Sequence, residues 1–290
     1  MKVEYDKNRI AKRNFKSNMF ATFVLSVIIL CFATLIWLIT SIVIDAAGWI
    51  DWQFIMSFPS RFPEKSGVLP GLVGSLILTI SISVIAVPIG VGSAIYLEEY
   101  ANRKGLFYKI IDISISNLSG VPSIIYGILG LSLFSLITIL KGTILAGAIT
   151  LSLLILPVVI VSSQEALKAV PRSLKEAAYG LGMSKWQMIV AVVIPYALPG
   201  MLTGVILALS RAIGEGAPLI VIGAATFVNK LPSSLTSSFT ALPIQVFYWS
   251  SLPKAEFQNV AAAGSIVLIA VLLLFNSIAI ILRNKYQRRQ

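Results

Sequence analysis

The stretch Thr143–Ser163, TILAGAITLSLLILPVVIVSS, contains no charged residue. A helix rises about 1.5 Å per residue, so a run of this length reaches across a hydrocarbon core of ~30 Å. Directly after it the character changes. Gln164–Lys185 holds Glu165, Lys168, Arg172, Lys175, Glu176 and Lys185 among its apolar residues. An uncharged run followed by a charged, patterned segment sets the reading of the rest of the chain.

The same kind of run recurs on both sides. Phe20–Ile44, Gly71–Leu97, Ile113–Leu140 and Ala261–Leu282 are each long enough to cross a membrane, and Ile189–Val228 is interrupted only by Arg211 and Glu215. That last stretch reads as one crossing plus a re-entrant or interfacial piece, because two crossings leave almost no turn. The expected architecture is an all-α polytopic membrane protein with about six transmembrane helices. Composition agrees: the 290 residues are 57% hydrophobic and 12% charged, with mean hydropathy +0.89, whereas soluble domains run near ~25% charged.

The formal charge of +11 follows the expected topology. With six spans, the segments before Phe20, around Glu98–Asp112, at Gln164–Lys185 and after Leu282 lie on one side and hold 17 Lys and Arg. The opposite side, Asp45–Pro70, the turn at Lys141 and Asn229–Val260, holds 5. Cations favour cytoplasmic loops, so both termini are expected in the cytoplasm. Nucleic-acid binding is not needed to explain the charge. The basic residues before Phe20 resemble a signal peptide, but the apolar run of about 25 residues exceeds a cleavable core and reads as a retained anchor. The chain has no His and one Cys, which removes a His-dependent triad, most metal sites and an intrachain disulfide. No catalytic residue and no metal ligand is expected.

Three features stand out inside the expected spans. Ser119-Gly120-Val121-Pro122-Ser123 breaks the third span with small residues and a proline at a first helical position. It reads either as a kink or as a half-helix N-terminus, near mid-membrane, that presents free N–H groups to an anion through Ser123. Gly200, Gly204, Ala208, Ala212 and Gly216 form a small-residue stripe suited to close helix approach. Arg211 and Glu215 are four residues apart, which puts them on one helix face. A charge in a bilayer costs at least ~2.5 kcal/mol. The two residues form a structural ion pair, or Arg211 donates paired hydrogen bonds to an oxyanion in a wet path while Glu215 holds it. A straight helix from Ile189 carries Arg211 about 33 Å, to the outer end of the membrane, and breaks at Pro195 and Pro199 would leave it deeper.

In Gln164–Gln187, the residues Leu167, Val170, Leu174, Ala178 and Leu181 follow a 3/4 spacing and predict one apolar face. Pro171 suits the first turn of a short helix, Gly180 and Gly182 its end, and Ser184 with Gln187 a capping box for the next. Periodicity alone leaves two readings, a helix resting on lipid headgroups or a docking element for a cytoplasmic partner.

The residues decide between them. Glu176-Ala177-Ala178, three residues, Gly182, nine residues and Val192-x-Ile194-Pro195 resembles the EAA loop of binding-protein-dependent ABC-importer permeases, with Val192 for the family's Ile and Ile194 for its Leu. The strings Ala94–Ala101, Gly120–Gly127 and Ser210–Pro218 resemble the phosphate-specific branch. The doubled Glu98-Glu99 and a modest external segment after the first span look more like its PstA-type subunit than the PstC-type. Gly216 stands where that branch commonly has Thr.

The resemblance covers roughly Leu72 to Leu282 and implies a type I ABC importer permease fold. On this reading 1–19 is a basic cytoplasmic segment, and 20–70 is the first helix with an external segment. Residues 71–282 form the core permease domain with the coupling loop at 164–187, and 283–290 is a basic tail. The resemblance implies ATPase coupling through Glu176, Ala177, Ala178, Gly182 and Pro195. The substrate path is assigned to Arg211, Glu215 and Ser123, with Arg172 at the exit side or in docking. The chain has no G-x-x-x-x-G-K-[ST] loop, so ATP and Mg are expected on a partner ABC ATPase dimer and no cofactor on this chain. The other implied partners are a homologous PstC-type permease, an extracytoplasmic phosphate-binding protein and membrane lipid. Two other readings are weighed. One is a permease for sulfate, molybdate or phosphonate; the other is an ATP-independent carrier or channel, which leaves the EAA loop unexplained. An intramembrane enzyme has too few acid–base groups.

Overall fold

The computed structural model describes residues 7–137 and 140–287, so Lys2, Arg288 and Arg289 of the charge argument lie outside it. The helices in chain order are α1 Lys7–Ala46, α2 Trp52–Met56, α3 Leu69–Ile95, α4 Leu106–Leu118, α5 Ser123–Ser135, α6 Ile144–Lys168, α7 Arg172–Gly180, α8 Lys185–Met188, α9 Ile194–Gly214, α10 Ala217–Val221, α11 Leu242–Ser250 and α12 Glu256–Gln287. No β-strand occurs among the described residues. Five helices are long and apolar enough to cross a membrane; α4 and α5 reach that length only as a pair, bent by 107°, and make a sixth if the pair counts as one broken span.

Outward-facing apolar side chains mark this as a membrane fold. Phe23, Leu30 and Trp37 of α1 and Leu273, Leu274 and Ile281 of α12 are exposed, the inverse of a water-soluble arrangement. At the centre lies α6, buried along most of its length. α3 packs beside it in the same direction: Gly90 faces Val159, and Glu98 reaches Gln164. α9 runs antiparallel to both. A Cβ on Gly200 would lie 2.9 Å from that of Ala166, and a Cβ on Gly204 would collide with Ser162. Lipid supplies little hydrophobic drive between helices, so such close backbone approach is what holds them. The small-residue stripe thus packs α9 on α6, with Ala208 and Ala212 buried. Gly216 does not continue it, because α9 ends at Gly214 and Gly216 caps α10 against Pro243.

Two π-turns interrupt the long helices, Tyr96–Tyr100 after α3 and Ile189–Val193 before α9. The second directly precedes Ile194-Pro195. Proline has no N–H and its ring crowds the carbonyl four residues back, so the ladder widens there and Ile194 N–H bonds Ile189 O. Pro199 is carried inside α9 without a break.

The third expected span differs most from its sequence reading. It begins at Leu106 and turns sharply at 119–122. Pro122 takes ψ 135° outside the helix, so Ser123, not the proline, is the first helical residue. The sixth stretch divides into one crossing, α9, and a short helix, α10, which packs against α5 and α6 inside the bundle rather than at its edge.

Candidate functional site

The register of α9 on α6 fixes the depth of Arg211. Gly200 lies at Ala166 and Gly204 at Ser162. The same four-residue step puts Ala212 level with Leu154, about 16 Å along α6 from its start and nearly halfway along its 25 residues. Arg211 is therefore at mid-bundle without any break at Pro199, because α6 begins well beyond the end of α9. Its Nε donates to Glu215 Oε1 at 3.4 Å. The pair forms across the helix end, since Glu215 is the extended C-cap of α9 (ψ 112°). The Gly214-Glu215-Gly216-Ala217-Pro218 string stops the helix with glycines on both sides and Pro218 in the first turn of α10. The Arg211 side chain is 45% exposed and that of Glu215 20%. One guanidinium nitrogen is held, and nearly half of the side chain remains exposed.

The break before α5 lies at the same depth. Gly130 of α5 sits on Thr150 of α6, and Ser123 lies seven residues deeper along α5, about 10 Å. Gly127 takes Pro218 against its backbone, where a Cβ would be 2.8 Å from the Pro218 Cα. Tyr126 donates its hydroxyl to Leu118 O at 2.8 Å and pins the end of α4 across the bend. Of the predicted residues, Arg211 and Glu215 are brought into contact, while Ser123 opens α5 on the neighbouring element without a hydrogen bond to either; Tyr126, which ties α5 to α4, is a residue that sequence reasoning missed. Its signal was only the tyrosine three residues into α5.

Arg172 is elsewhere. It is the first residue of α7, exposed at the other end of α9. There α6 runs on to Lys168, so the first part of the expected loop completes a buried helix, with Gln164 and Leu167 inside. The predicted single apolar face does not form. Leu167, Val170 and Ala178 are buried, but Leu174 and Leu181 are exposed together with Tyr179 and Trp186. The spacing joined residues of two elements separated by the turn at 169–171.

The predicted ends of the helix pair are present. Gly182 has φ +77°, its N–H bonds Tyr179 O at 2.9 Å, and Met183 N–H bonds Ala178 O at 3.1 Å. This is the double bond of a Schellman stop. Ser184 and Gln187 form the capping box in both directions. Gly180 and Gly182 have nothing within 4 Å of a built Cβ, and Glu176 and Ala177 are exposed. The result is a small, stiffly terminated helix that presents glycines, a carboxylate and exposed apolar side chains outward.

Behind it stands a network not predicted from sequence. Glu98, its side chain 1% exposed, pairs with Arg103, lies 3.7 Å from Lys168 Nζ and accepts from Gln164 at 3.4 Å. Glu99 pairs with Lys175 of α7 at 2.6 Å. Lys185 Nζ lies 4.6 Å from the centre of the Tyr100 ring. The doubled glutamate was visible in the sequence; apart from Arg103, its partners are 66 to 76 residues away.

The architecture is a polytopic helical bundle with a stiff, exposed helix pair at one end and an ion pair at mid-depth, the layout expected of a membrane permease. Comparison with known proteins agrees. Residues 86–290 match the family of binding-protein-dependent transport system inner membrane components. The chain is 33% identical over 275 residues to the phosphate transport system permease protein PstA of Mycobacterium leprae, covering 92% of this chain and 89% of that one. It is 34% identical to the PstA protein of Yersinia pestis, covering 84% and 83%, and 34% identical to the probable ABC transporter permease protein YqgI of Bacillus subtilis, covering 84% and 87%. Among solved structures, a bacterial ABC transporter involved in alginate import superposes with TM-score 0.68 at 14% identity, covering 96% of this chain and 99% of that one. The MetNI methionine ABC transporter gives 0.57 at 18%, covering 76% and 94%. The fold is that of type I ABC importer permeases. This chain belongs to the binding-protein-dependent transport system inner membrane components, and among them to the PstA-type permeases.

Proposed function

We propose that this chain is one transmembrane subunit of an ATP-driven importer of inorganic phosphate. The observation that carries the substrate is the identity of about one third, along most of both chains, to permeases named for phosphate transport. The site chemistry fits: a mid-depth guanidinium with one edge held by Glu215 offers its remaining donors in the planar geometry an oxyanion accepts.

The charge asymmetry supports placing α7, α8 and both termini in the cytoplasm. There Glu176, Ala177 and Gly182 meet a separate ABC ATPase dimer, which carries ATP and Mg, and Arg172 lies beside this contact; Ala178, expected among the docking residues, is buried and instead seats α7 on the bundle. Pro195 and the π-turn before it set the angle at which α8 leads into α9. A second, PstC-type permease closes the path on the exposed side of Arg211, and an extracytoplasmic phosphate-binding protein delivers the anion. Nucleotide-driven closure of the ATPases moves α7 and opens the path outward; hydrolysis reverses it. The chain itself is not catalytic. Arg211 holds the anion only in passing, since a path must also release it.

Competition tests the substrate. In vesicles holding the complete complex, labelled phosphate uptake is expected to stand unchanged in excess sulfate, molybdate or phosphonate. Displacement of phosphate by one of these would transfer the assignment to that anion and leave the ABC mechanism in place.

A further inference from the structure

The docking helix α7 must pass its displacement to the membrane helices; its backbone packs chiefly against α8 and the π-turn that follows, and its one buried residue, Ala178, joins the apolar cluster of Ala94, Leu97 and Leu167. Its directional, hydrogen-bonded link to the end of α3 is Lys175 Nζ to Glu99 Oε1 at 2.6 Å. Both side chains are withdrawn from solvent, Glu99 to 7% exposure and Lys175 to 23%. A carboxylate so enclosed is tolerated because it is paired, and removing one partner leaves the other charge uncompensated. The neighbouring Glu98 is held by Arg103, Lys168 and Gln164, and Gln164 also reaches Asp112 of α4 at 3.5 Å. The π-turn at Tyr96–Tyr100 thus turns two successive carboxylates to different elements. Glu98 fixes the end of α3 to α6 and the following loop, and Glu99 fixes α7 to that same point.

We propose that Glu99–Lys175 is the strut that transmits movement of the docking helix to the α3–α6 core. Both are positioning residues, since neither touches the anion or the nucleotide. The assignment rests on the ABC-permease reading above. An exposed ion pair would give little rigidity; this one is enclosed and anchored through Glu98 to a second charge cluster.

The test uses the complete complex in proteoliposomes, compared at equal amounts assembled, and reads anions imported per ATP hydrolysed. Glu99→Gln and Lys175→Gln are each expected to lower that ratio by about tenfold, within the range of coupling between distant sites. The exchanged pair Glu99→Lys with Lys175→Glu is expected to recover most of it, which loss of folding alone would not do. Single variants with an unchanged ratio, or an exchanged pair no better than the singles, would overturn the strut. A second measurement is independent of the substrate. With Cys31 replaced, spin labels at Leu181 and Ile89 of the full chain in lipid discs are expected to show one narrow distance. Either single substitution is expected to broaden it, and a distance left narrow by both would overturn the proposal. Failure of the unsubstituted complex to import phosphate would instead count against the substrate assignment, leaving the distance measurement as the test of the strut.

Discussion

Replacing Arg211 by Gln is expected to lower phosphate import by about ten- to a hundredfold, the scale of one or two charge-assisted hydrogen bonds lost from an anion in transit. Chain accumulation and ATPase association are expected to stay near normal. The physical basis is the geometry at mid-bundle: Glu215 occupies one edge of the guanidinium at 3.4 Å, and the side chain remains 45% exposed. Arg211→Lys should fall between, because it keeps the charge and loses the paired donors. If the two residues served only to neutralise each other, removing both charges in Arg211→Gln with Glu215→Gln would restore import, whereas a substrate contact predicts that the double variant stays as low as Arg211→Gln. The measurement is the initial rate of labelled phosphate uptake in vesicles. Wild-type rates in Arg211→Gln would remove the residue from the path.

A still larger effect is expected from a single methyl group at Gly204, where a Cβ would overlap both Cβ and Oγ of Ser162. Ser162 Oγ can rotate away, but its Cβ is fixed to the α6 backbone, so the two helices would have to separate. Overpacking of this kind costs about 1–3 kcal/mol in cores that can shift; here α6 is also packed on α3 along Gly90 and Val159. Gly204→Ala is expected to leave little folded chain in the membrane, measured as monodisperse protein after mild detergent extraction. Ser162→Gly in the same chain should restore it, because the Cβ would then face the position-162 Cα at 3.6 Å, an ordinary contact. Normal yield from Gly204→Ala alone would refute the register on which the depth of Arg211 depends.

That register shows where sequence reading stops. The crossings were legible because a bilayer demands long uncharged runs, and the loop ends because Gly182, Ser184 and Gln187 act within a few residues of themselves. Arg211 and Glu215 were legible as a pair, since the spacing alone brings them together. Their depth was not: it depends on which residue of α6 meets Gly204, and nothing within α9 encodes it. The 107° turn before Ser123 was visible only as a break, because Pro122 permits either a kink or a full turn and Gly127 against Pro218 decides between them. The Glu99–Lys175 pair was invisible for the same reason. Each charge looked like part of a solvated surface until the fold enclosed it.

The central claim is that this chain forms part of a path for phosphate driven by ATP on another subunit. The most direct measurement is labelled phosphate accumulation in proteoliposomes containing this chain, the second permease and the ATPase, with binding protein outside and ATP inside. The account predicts accumulation that stops when either the ATP or the binding protein is omitted. Phosphate entry that continues without ATP would contradict it.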